Sequence, residues 1–328
     1  MIDTLTSHNR MLSIVFLSYY SGDRVHRCYD KLGSLLQKEG IPFEFIVMDD
    51  GSKDDSYKQA LKLEKAHDNV RAYRLSRNFG SNYSLFAGLS KCEGACVMPM
   101  VDDEQQPYET VVAMYRLWER GHKVVIPCRE DRADSKISSL LSNMFYAIMN
   151  RLSEVQYPPG GADLFLLDRE VVDVLNTRIH PRNTSGIAEV LRLGFEPYFY
   201  KYKRPLGLNK NKSRWTFRKK WRLAKDNFFS ASTFPIRLIS FMGAVAFFFS
   251  IAAGVFYTYI MLWGNKKFWN ITVPGWASII VLVFAFGGLI LLSLSMIAEY
   301  IWRIYDEVKG RPGYIIRSKD GEDADDLA

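Results

Sequence analysis

Short apolar runs alternate with amphipathic stretches along residues 1 to about 200 of this chain. Apolar runs of this length, bounded by polar turns, are typical of buried strands, and apolar positions three and four residues apart are typical of helices. The pattern predicts strands over residues 12–17, 43–48, 70–75 and 96–101. It predicts helices after the first strand to about Lys38 and from about Ser81 to Lys91. Repeated strand and helix units indicate an α/β domain with a mostly parallel sheet.

The pattern changes in residues 236–301, where the apolar runs become much longer. Residues 238–263 and 271–298 contain no charged side chain. Each run exceeds the roughly 20 residues that a helix needs to cross a bilayer. We therefore predict two transmembrane helices, at about 236–263 and 273–301. A short connector joins them as a hairpin, which would place both soluble ends on one side of the membrane.

A row of cations precedes the first predicted span, with no acid among them before Asp226. The cations are Lys201, Lys203, Arg204, Lys210, Lys212, Arg214, Arg218, Lys219, Lys220, Arg222 and Lys225. Cationic flanks stay cytoplasmic, so the sequence predicts an integral, multi-pass protein of the plasma or inner membrane with a cytoplasmic main domain. The predicted divisions are a domain over 1–200, a basic amphipathic juxtamembrane segment over 201–235, the spans, and a cytoplasmic tail over 302–328. The formal net charge of +7 does not indicate nucleic-acid binding, because these cations adjoin a span.

Three consecutive acids, Asp102, Asp103 and Glu104, follow the fourth predicted strand. Parallel strands present ligand sites at their carboxyl ends. Adjacent carboxylates repel one another unless a cation lies between them, and Mg²⁺ or Mn²⁺ holding a diphosphate would satisfy this need. A solvated acidic turn is the alternative. Side chains alternate along an extended segment, so Asp102 and Glu104 share one face and Asp103 the other. This geometry leaves open which face binds the ion.

Two further turns would lie on the same edge of the sheet. The second strand ends on Asp49-Asp50-Gly51-Ser52, where an acid could accept from a nucleotide base or ribose hydroxyl, and where Ser52 could instead cap the next helix. The third strand leads into residues 76–80, Ser-Arg-Asn-Phe-Gly, before a helix. Free backbone N–H groups there, together with Arg77, predict an anion site. Basic and acidic turns on one edge suit a nucleotide diphosphate bound through a metal.

These motifs resemble family 2 glycosyltransferases, specifically the polyprenyl-phosphate hexose synthases such as dolichyl-phosphate mannose synthase and the bactoprenol glucosyltransferases. The resemblance covers nearly the whole chain. It is carried by Asp49-Asp50-Gly51-Ser52, Arg77-Asn78-Phe79-Gly80, Gly88, residues 103–109, Gly160-Gly161-Ala162-Asp163, Gly194-Phe195, residues 213–217, both predicted spans, and residues 299–305 to Arg311-Pro312.

The resemblance implies a nucleotide-diphospho-sugar transferase (GT-A-like) sheet with helices on both faces. It also implies inverting transfer of one sugar from a UDP- or GDP-hexose type donor to a polyprenyl phosphate, undecaprenyl or dolichyl, beside the membrane lipids. The implied nucleotide-sugar site comprises Asp50, which would contact the base, and Asp49, Ser18, Tyr20, Asp102 and Gln105. The implied metal, Mg²⁺ or Mn²⁺, would be held by Asp103 with Asp102. The alignment of Gln105 to Glu109 with the family motif favours Asp103 as the main metal ligand.

The acceptor side of the implied reaction involves Asp163 and cations. A phosphate monoester is already ionised at pH 7, so we expect Asp163 to position the acceptor or a sugar hydroxyl rather than to remove a proton. The catalytic residues would then be Asp103, Asp163 and Arg77. Arg204, Lys212 and Arg214 are the expected contacts of the acceptor phosphate, with a role in membrane topology as the alternative.

Departures from the family pattern keep other functions open. Residues 17–21, Leu-Ser-Tyr-Tyr-Ser, replace the usual Pro-x-Tyr-Asn-Glu, and residues 101–107 lack the first and third acids of Asp-x-Asp-Leu-Gln-Asp-Pro. A membrane-tethered nucleotide-sugar-binding protein with a degenerate catalytic site is therefore one alternative. A processive polysaccharide synthase is another, because residues 211–215 faintly resemble the Gln-x-x-Arg-Trp signature of that branch. Two spans form poor walls for a polymer channel unless the chain is a homo-oligomer.

Overall fold

The structure is a computed structural model that describes residues 10–102, 106–129, 150, 164–182, 185–202, 239–246, 248–249, 251–252, 255 and 275–317. The chain forms two compact units. One comprises Met1–Ala231 with Pro312–Ala328, and the other comprises Ser232–Arg311. The predicted domain boundaries remain predictions, because most of residues 201–235 lie outside the described residues.

The first unit contains a seven-stranded sheet in the order β3-β2-β1-β4-β6-β5-β7. Its strands are β1 (Leu12–Ser18), β2 (Phe43–Asp49), β3 (Val70–Arg74), β4 (Cys96–Val101), β5 (Val124–Arg129), β6 (Leu166–Asp168) and β7 (Pro197–Tyr202). β6 is antiparallel to both of its neighbours, and the other neighbouring pairs are parallel. The prediction of a mostly parallel sheet is confirmed, and the four predicted strands end within one residue of the observed ones.

Helices cover both faces of this sheet. They are α1 (Arg24–Lys38), α2 (Ser56–Ala66), α3 (Ser81–Leu89), α4 (Tyr108–Glu119), α5 (Arg169–Arg178) and α6 (Gly186–Arg192). Alternate side chains of β1 point to opposite faces. Ile14 and Phe16 belong to the core formed with α1, α2 and α4, whereas Val15 belongs to the core formed with α3, α5 and α6. This two-sided burial explains why the strands read as continuous apolar runs.

The close packing of α3 on β1 depends on Gly88. A Cβ atom at Gly88 would lie 2.2 Å from Cγ1 of Val15, a distance that no side chain could keep. This contact holds α3 directly against the middle of the sheet. The parallel strands β1 to β4 therefore end together beside the first turn of α3, and this edge of the sheet is called the rim below.

The second unit contains α7 (Gly275–Val308), a helix of 34 residues. Within it, Phe286–Val308 has the length and hydropathy of a membrane span, and none of this stretch is buried; it is the one such helix among the residues that the structure describes. Residues 239–246, 248–249, 251–252 and 255 are helical as well. Most of the first predicted span nevertheless lies outside the described residues, so the two-helix hairpin remains a prediction.

Candidate active site at the rim of the sheet

The carboxylate of Asp50 connects the end of β2 to residues 76–80, which are called the basic turn below. Asp50 is 4% exposed, and its Oδ1 accepts a hydrogen bond from Phe79 N at 2.8 Å. Its Oδ2 accepts from Gly80 N at 2.9 Å. The expectation that these N–H groups are free to bind a ligand anion is therefore wrong. The anion that they bind is a carboxylate of the protein itself, which fixes the backbone of the basic turn.

Gly51 allows the end of β2 and the basic turn to touch. It has a φ of +66°, and a Cβ there would lie 2.5 Å from the carbonyl carbon of Arg77 and 2.7 Å from its Cα. These are backbone atoms, which cannot rotate away as a flexible side chain could. A glycine is thus required at this position both by its left-handed conformation and by the contact with the basic turn.

The buried carboxylate of Asp49 holds the turn that directly follows β2. Its side chain is fully buried, Oδ2 accepts from Ser52 N at 2.9 Å, and Oδ1 accepts from the Ser52 hydroxyl. Ser52 therefore does not cap the next helix, the alternative that the sequence left open, because α2 begins at Ser56 with Asp55 at its N-cap position. Burial raises the pKa of Asp49 and of Asp50, and the hydrogen bonds to each carboxylate act in the opposite direction.

The loop after β1 presents Tyr20 at the rim. Tyr20 has a φ of +54°, a left-handed conformation that is rare for an aromatic residue and that often marks functional sites. Its N–H donates to the Ser52 hydroxyl at 3.0 Å, and its carbonyl accepts from Arg24. Ser18 is buried, and its carbonyl accepts from Asp50 N at 2.9 Å. Ser18 thus positions the end of β2, while the half-exposed ring of Tyr20 packs edge-on against Tyr19.

Asp102, directly after β4, forms an ion pair that the sequence did not indicate. Its Oδ2 lies 2.7 Å from Nη2 of Arg24 and accepts from the Ser21 hydroxyl at 2.9 Å. The Asp102 side chain is 14% exposed. Arg24 also donates from Nε to the Ser21 carbonyl at 3.0 Å. The positive charge beside Asp102 in this structure is therefore a side chain at the start of α1.

Arg77 is exposed on the basic turn and packs on an aromatic ring. Its guanidinium carbon lies 4.1 Å from the ring centroid of Phe79, a distance typical of a cation–π contact. Nη1 donates to the Asn78 carbonyl at 3.3 Å. Phe79 thus has two roles in this turn, since its N–H binds Asp50 and its ring supports Arg77.

The remaining predicted site residues lie outside the described residues. They are Asp103, Gln105, Asp163, Arg204, Lys212 and Arg214. Within the described ranges, no group of three or more His, Cys, Asp or Glu side chains is placed to hold a metal ion. The structure thus places Ser18, Tyr20, Asp49, Asp50, Arg77 and Asp102 at one rim, together with Arg24 and Ser52.

The chain is similar to known glycosyltransferases. The profile of the family described as Glycosyl transferase family 2 matches residues 13–175. A bactoprenol glucosyl transferase from a prophage of Shigella flexneri is 31% identical over 311 residues, which cover 93% of this chain and 97% of that protein. An uncharacterized glycosyltransferase from Synechocystis sp. is 30% identical over 93% of this chain and 94% of its own length.

Among solved structures, glucosyl-3-phosphoglycerate synthase from Mycobacterium tuberculosis, in complex with Mn²⁺, UDP and phosphoglyceric acid, is 17% identical. The match has a TM-score of 0.47 and covers 69% of this chain and 79% of that one. The sequence relatives, by contrast, extend over almost the whole chain at about one identical residue in three. This chain therefore belongs to glycosyl transferase family 2, where its full-length relatives include the bactoprenol glucosyl transferases.

Proposed function

We propose that this protein transfers a single sugar, with inversion, from a UDP- or GDP-hexose type nucleotide sugar to a polyprenyl phosphate at the cytoplasmic face of a membrane. The observation that carries the proposal is the alignment of nearly the whole chain with relatives named for glucosyl transfer to bactoprenol. The described rim supports the donor half of this function, because hydrogen bonds join the loop after β1 to the turn after β2, and that turn to the basic turn after β3. The apolar helix α7 supports a membrane location.

On the donor side, Asp50 is proposed to contact the nucleotide base while it keeps the basic turn in place. A carboxylate has about four lone-pair sites, so the two backbone N–H groups do not exhaust its capacity. Ser18 ends β1 and Tyr20 lies on the loop that follows, where the Tyr20 ring can border the nucleoside. Asp49 would act through Ser52 and Arg74 rather than by touching the nucleotide, since its side chain is fully buried.

The residues after β4 suit Mg²⁺ or Mn²⁺ bound together with a diphosphate. Such ions are commonly held by one or two carboxylates and by phosphate oxygens of the substrate. Because Asp102 already pairs with Arg24, we assign the main metal contact to Asp103 and a secondary one to Asp102. When bound, the cation would neutralise charge that develops on the leaving diphosphate. Gln105 is proposed to lie beside the sugar diphosphate.

The transfer itself needs little proton chemistry. An oxygen of the ionised acceptor phosphate forms a bond to the anomeric carbon, while the bond from that carbon to the diphosphate oxygen breaks. The nucleoside diphosphate leaves with the bonding electron pair. We assign stabilisation of this leaving group to Arg77, and the exposure of its side chain and its contact with the Phe79 ring support this role. Arg204, Lys212 and Arg214 are proposed to bind the acceptor phosphate at the depth of the lipid headgroups.

Asp163 is expected to position the acceptor or a sugar hydroxyl rather than to act as a base. β6 is antiparallel to β4, so the chain enters β6 from the side of the rim. Replacing Asp163 by Asn should lower turnover by about tenfold to a hundredfold, the effect of a misplaced reactant, with an unchanged pH profile. Turnover measured from pH 6 to 9 checks this. A loss above about a thousandfold that high pH relieves would indicate a general base instead.

The overall proposal is tested with membranes that contain the full chain. They are incubated with a panel of UDP- and GDP-sugars and with undecaprenyl or dolichyl phosphate, and the lipid products are analysed by mass spectrometry. We expect one donor to give a product with a single added hexose and with inverted anomeric configuration. A ladder of sugars would indicate a processive synthase, and nucleotide binding without any product would indicate a binding protein.

A further inference from the structure

The chain after α7 returns to the sheet domain through residues 312–317, called the C-terminal segment below. Ile316 forms an antiparallel bridge with Leu75, the residue that follows β3. Two hydrogen bonds flank the bridge, from Ser76 N to the Ile315 carbonyl at 2.9 Å and from Arg317 N to the Arg74 carbonyl at 2.8 Å. Because β3 is the edge strand, the C-terminal segment extends the sheet where β3 leads into the basic turn.

The side chains of the C-terminal segment alternate between the protein and the solvent. Tyr314 and Ile316 pack against the protein, whereas Ile315 is 51% exposed. The cluster that receives Tyr314 and Ile316 is built on the buried residues Met48, Leu75 and Ala87, and it also contains Phe79. The C-terminal segment and the basic turn therefore share one small apolar cluster beneath the rim.

Gly313 brings the same segment close to the beginning of α3. A Cβ at Gly313 would lie 2.9 Å from Cγ of Pro181 and 3.1 Å from Cε1 of Tyr83. Tyr83 is in the first turn of α3, which follows the basic turn directly. The C-terminal segment therefore contacts the chain on both sides of the basic turn. It pairs with Leu75 before the turn and lies against Tyr83 after it.

We propose that the C-terminal segment positions the basic turn for binding of the nucleotide sugar, with Ile316 as the principal positioning residue. Ile316 and Tyr314 pack against the same buried cluster as Phe79, whose N–H donates to Asp50 and whose ring lies against Arg77. Docking of the segment and occupancy of the donor site are then coupled, and by linkage each must strengthen the other. This inference rests on the proposed function only for the identity of the ligand that binds at the rim, a nucleotide sugar.

Matched variants of the full-length protein in lipid nanodiscs test this proposal. Ile316→Asp introduces a charge into the apolar cluster, and Ile315→Asp introduces the same charge on the solvent side of the same segment. We expect Ile316→Asp to raise the donor KM by about five- to tenfold, without a comparable change in the acceptor KM. The amides of residues 76–80 should exchange with solvent faster in this variant. Ile315→Asp should resemble the parent, and Ile316→Leu should restore donor affinity.

A second measurement uses the unaltered protein, so it holds even if Ile316→Asp fails to fold. Saturating UDP or GDP with Mg²⁺ should slow exchange of the Arg317 amide, which donates to Arg74 next to the basic turn. Unchanged exchange at Arg317 with bound nucleotide would overturn the proposal, as would equal donor KM values in the two Asp variants. If nucleotide protects Arg317 but no sugar reaches any lipid, the proposed transferase activity fails and this inference stands.

Discussion

Replacing Asp103 by Ala is expected to lower sugar transfer by about a hundredfold to a thousandfold in the folded, membrane-inserted protein. The size of the effect is that of removing one well-placed stabiliser of developing charge from an active site. Asp102 is paired with Arg24, and the alignment of residues 105–109 with the family motif favours Asp103 as the main metal ligand. Initial rates of glycolipid formation, measured over a range of Mg²⁺ and Mn²⁺ concentrations, provide the test.

The Asp102→Asn variant makes this prediction specific to one carboxylate. Asn keeps an acceptor for the Ser21 hydroxyl but removes the charge that pairs with Arg24. We expect a smaller loss, about tenfold, because a partly exposed ion pair contributes less than a group that acts on the transition state. Asp173→Ala, on the exposed face of α5, controls for the loss of an acid in general. A larger loss in Asp102→Asn than in Asp103→Ala would reverse the assignment.

Replacing Asp50 by Asn is expected to lower kcat/KM for the nucleotide sugar by about a hundredfold. Asn can offer an oxygen to only one of the Phe79 and Gly80 N–H groups, and its own amide nitrogen would face the other donor. Each hydrogen bond to a charged group contributes about 1.5–3 kcal/mol, so losing one and leaving a poorly solvated N–H accounts for this factor. Donor kinetics and equilibrium binding of UDP and GDP measure the effect.

The control for this second prediction is the same replacement at an Asp away from the rim. Asp68→Asn makes the same chemical change at an exposed site in the turn before β3, at the opposite end of the strand from the rim. We expect Asp68→Asn to bind nucleotide as the parent does. Amide exchange at Phe79 and Gly80 should increase in Asp50→Asn alone. Parental donor affinity in Asp50→Asn would show that the hydrogen bonds to the basic turn are not needed for nucleotide binding.

The elements of the sheet domain were predictable because their signals are local. The runs that became β1 to β4 are mostly apolar because both faces of these strands are largely covered, and turns or acids mark their ends. The helix α7 extends seven residues past the predicted span, which ended near residue 301. The charged side chains that follow the predicted span did not end α7. Instead Gly310, with a φ of +59°, and Pro312 follow shortly after its last residue, as is common at helix ends.

The partners of the rim carboxylates could not be predicted in the same way. The N–H groups of the basic turn were expected to be free for a ligand, and capping of α2 by Ser52 was left open as an alternative. Both expectations considered only neighbours in sequence. A buried carboxylate binds whichever donors surround it in space, because burial without hydrogen bonds is costly. For Asp50 those donors are in the basic turn, which follows the end of β3.

The sequence by itself determined the α/β sheet, the placement of acidic and basic turns at one edge of it, the long apolar helix and the family. These features follow from periodicity, composition and motifs, all of which involve residues that are close together in sequence. Only the tertiary structure decided that Arg24 pairs with Asp102, that Asp50 holds the basic turn, and that Ile316 and Phe79 pack against one apolar cluster. Contacts between residues far apart in sequence depend on how strands are ordered and helices packed, and no local pattern encodes that order.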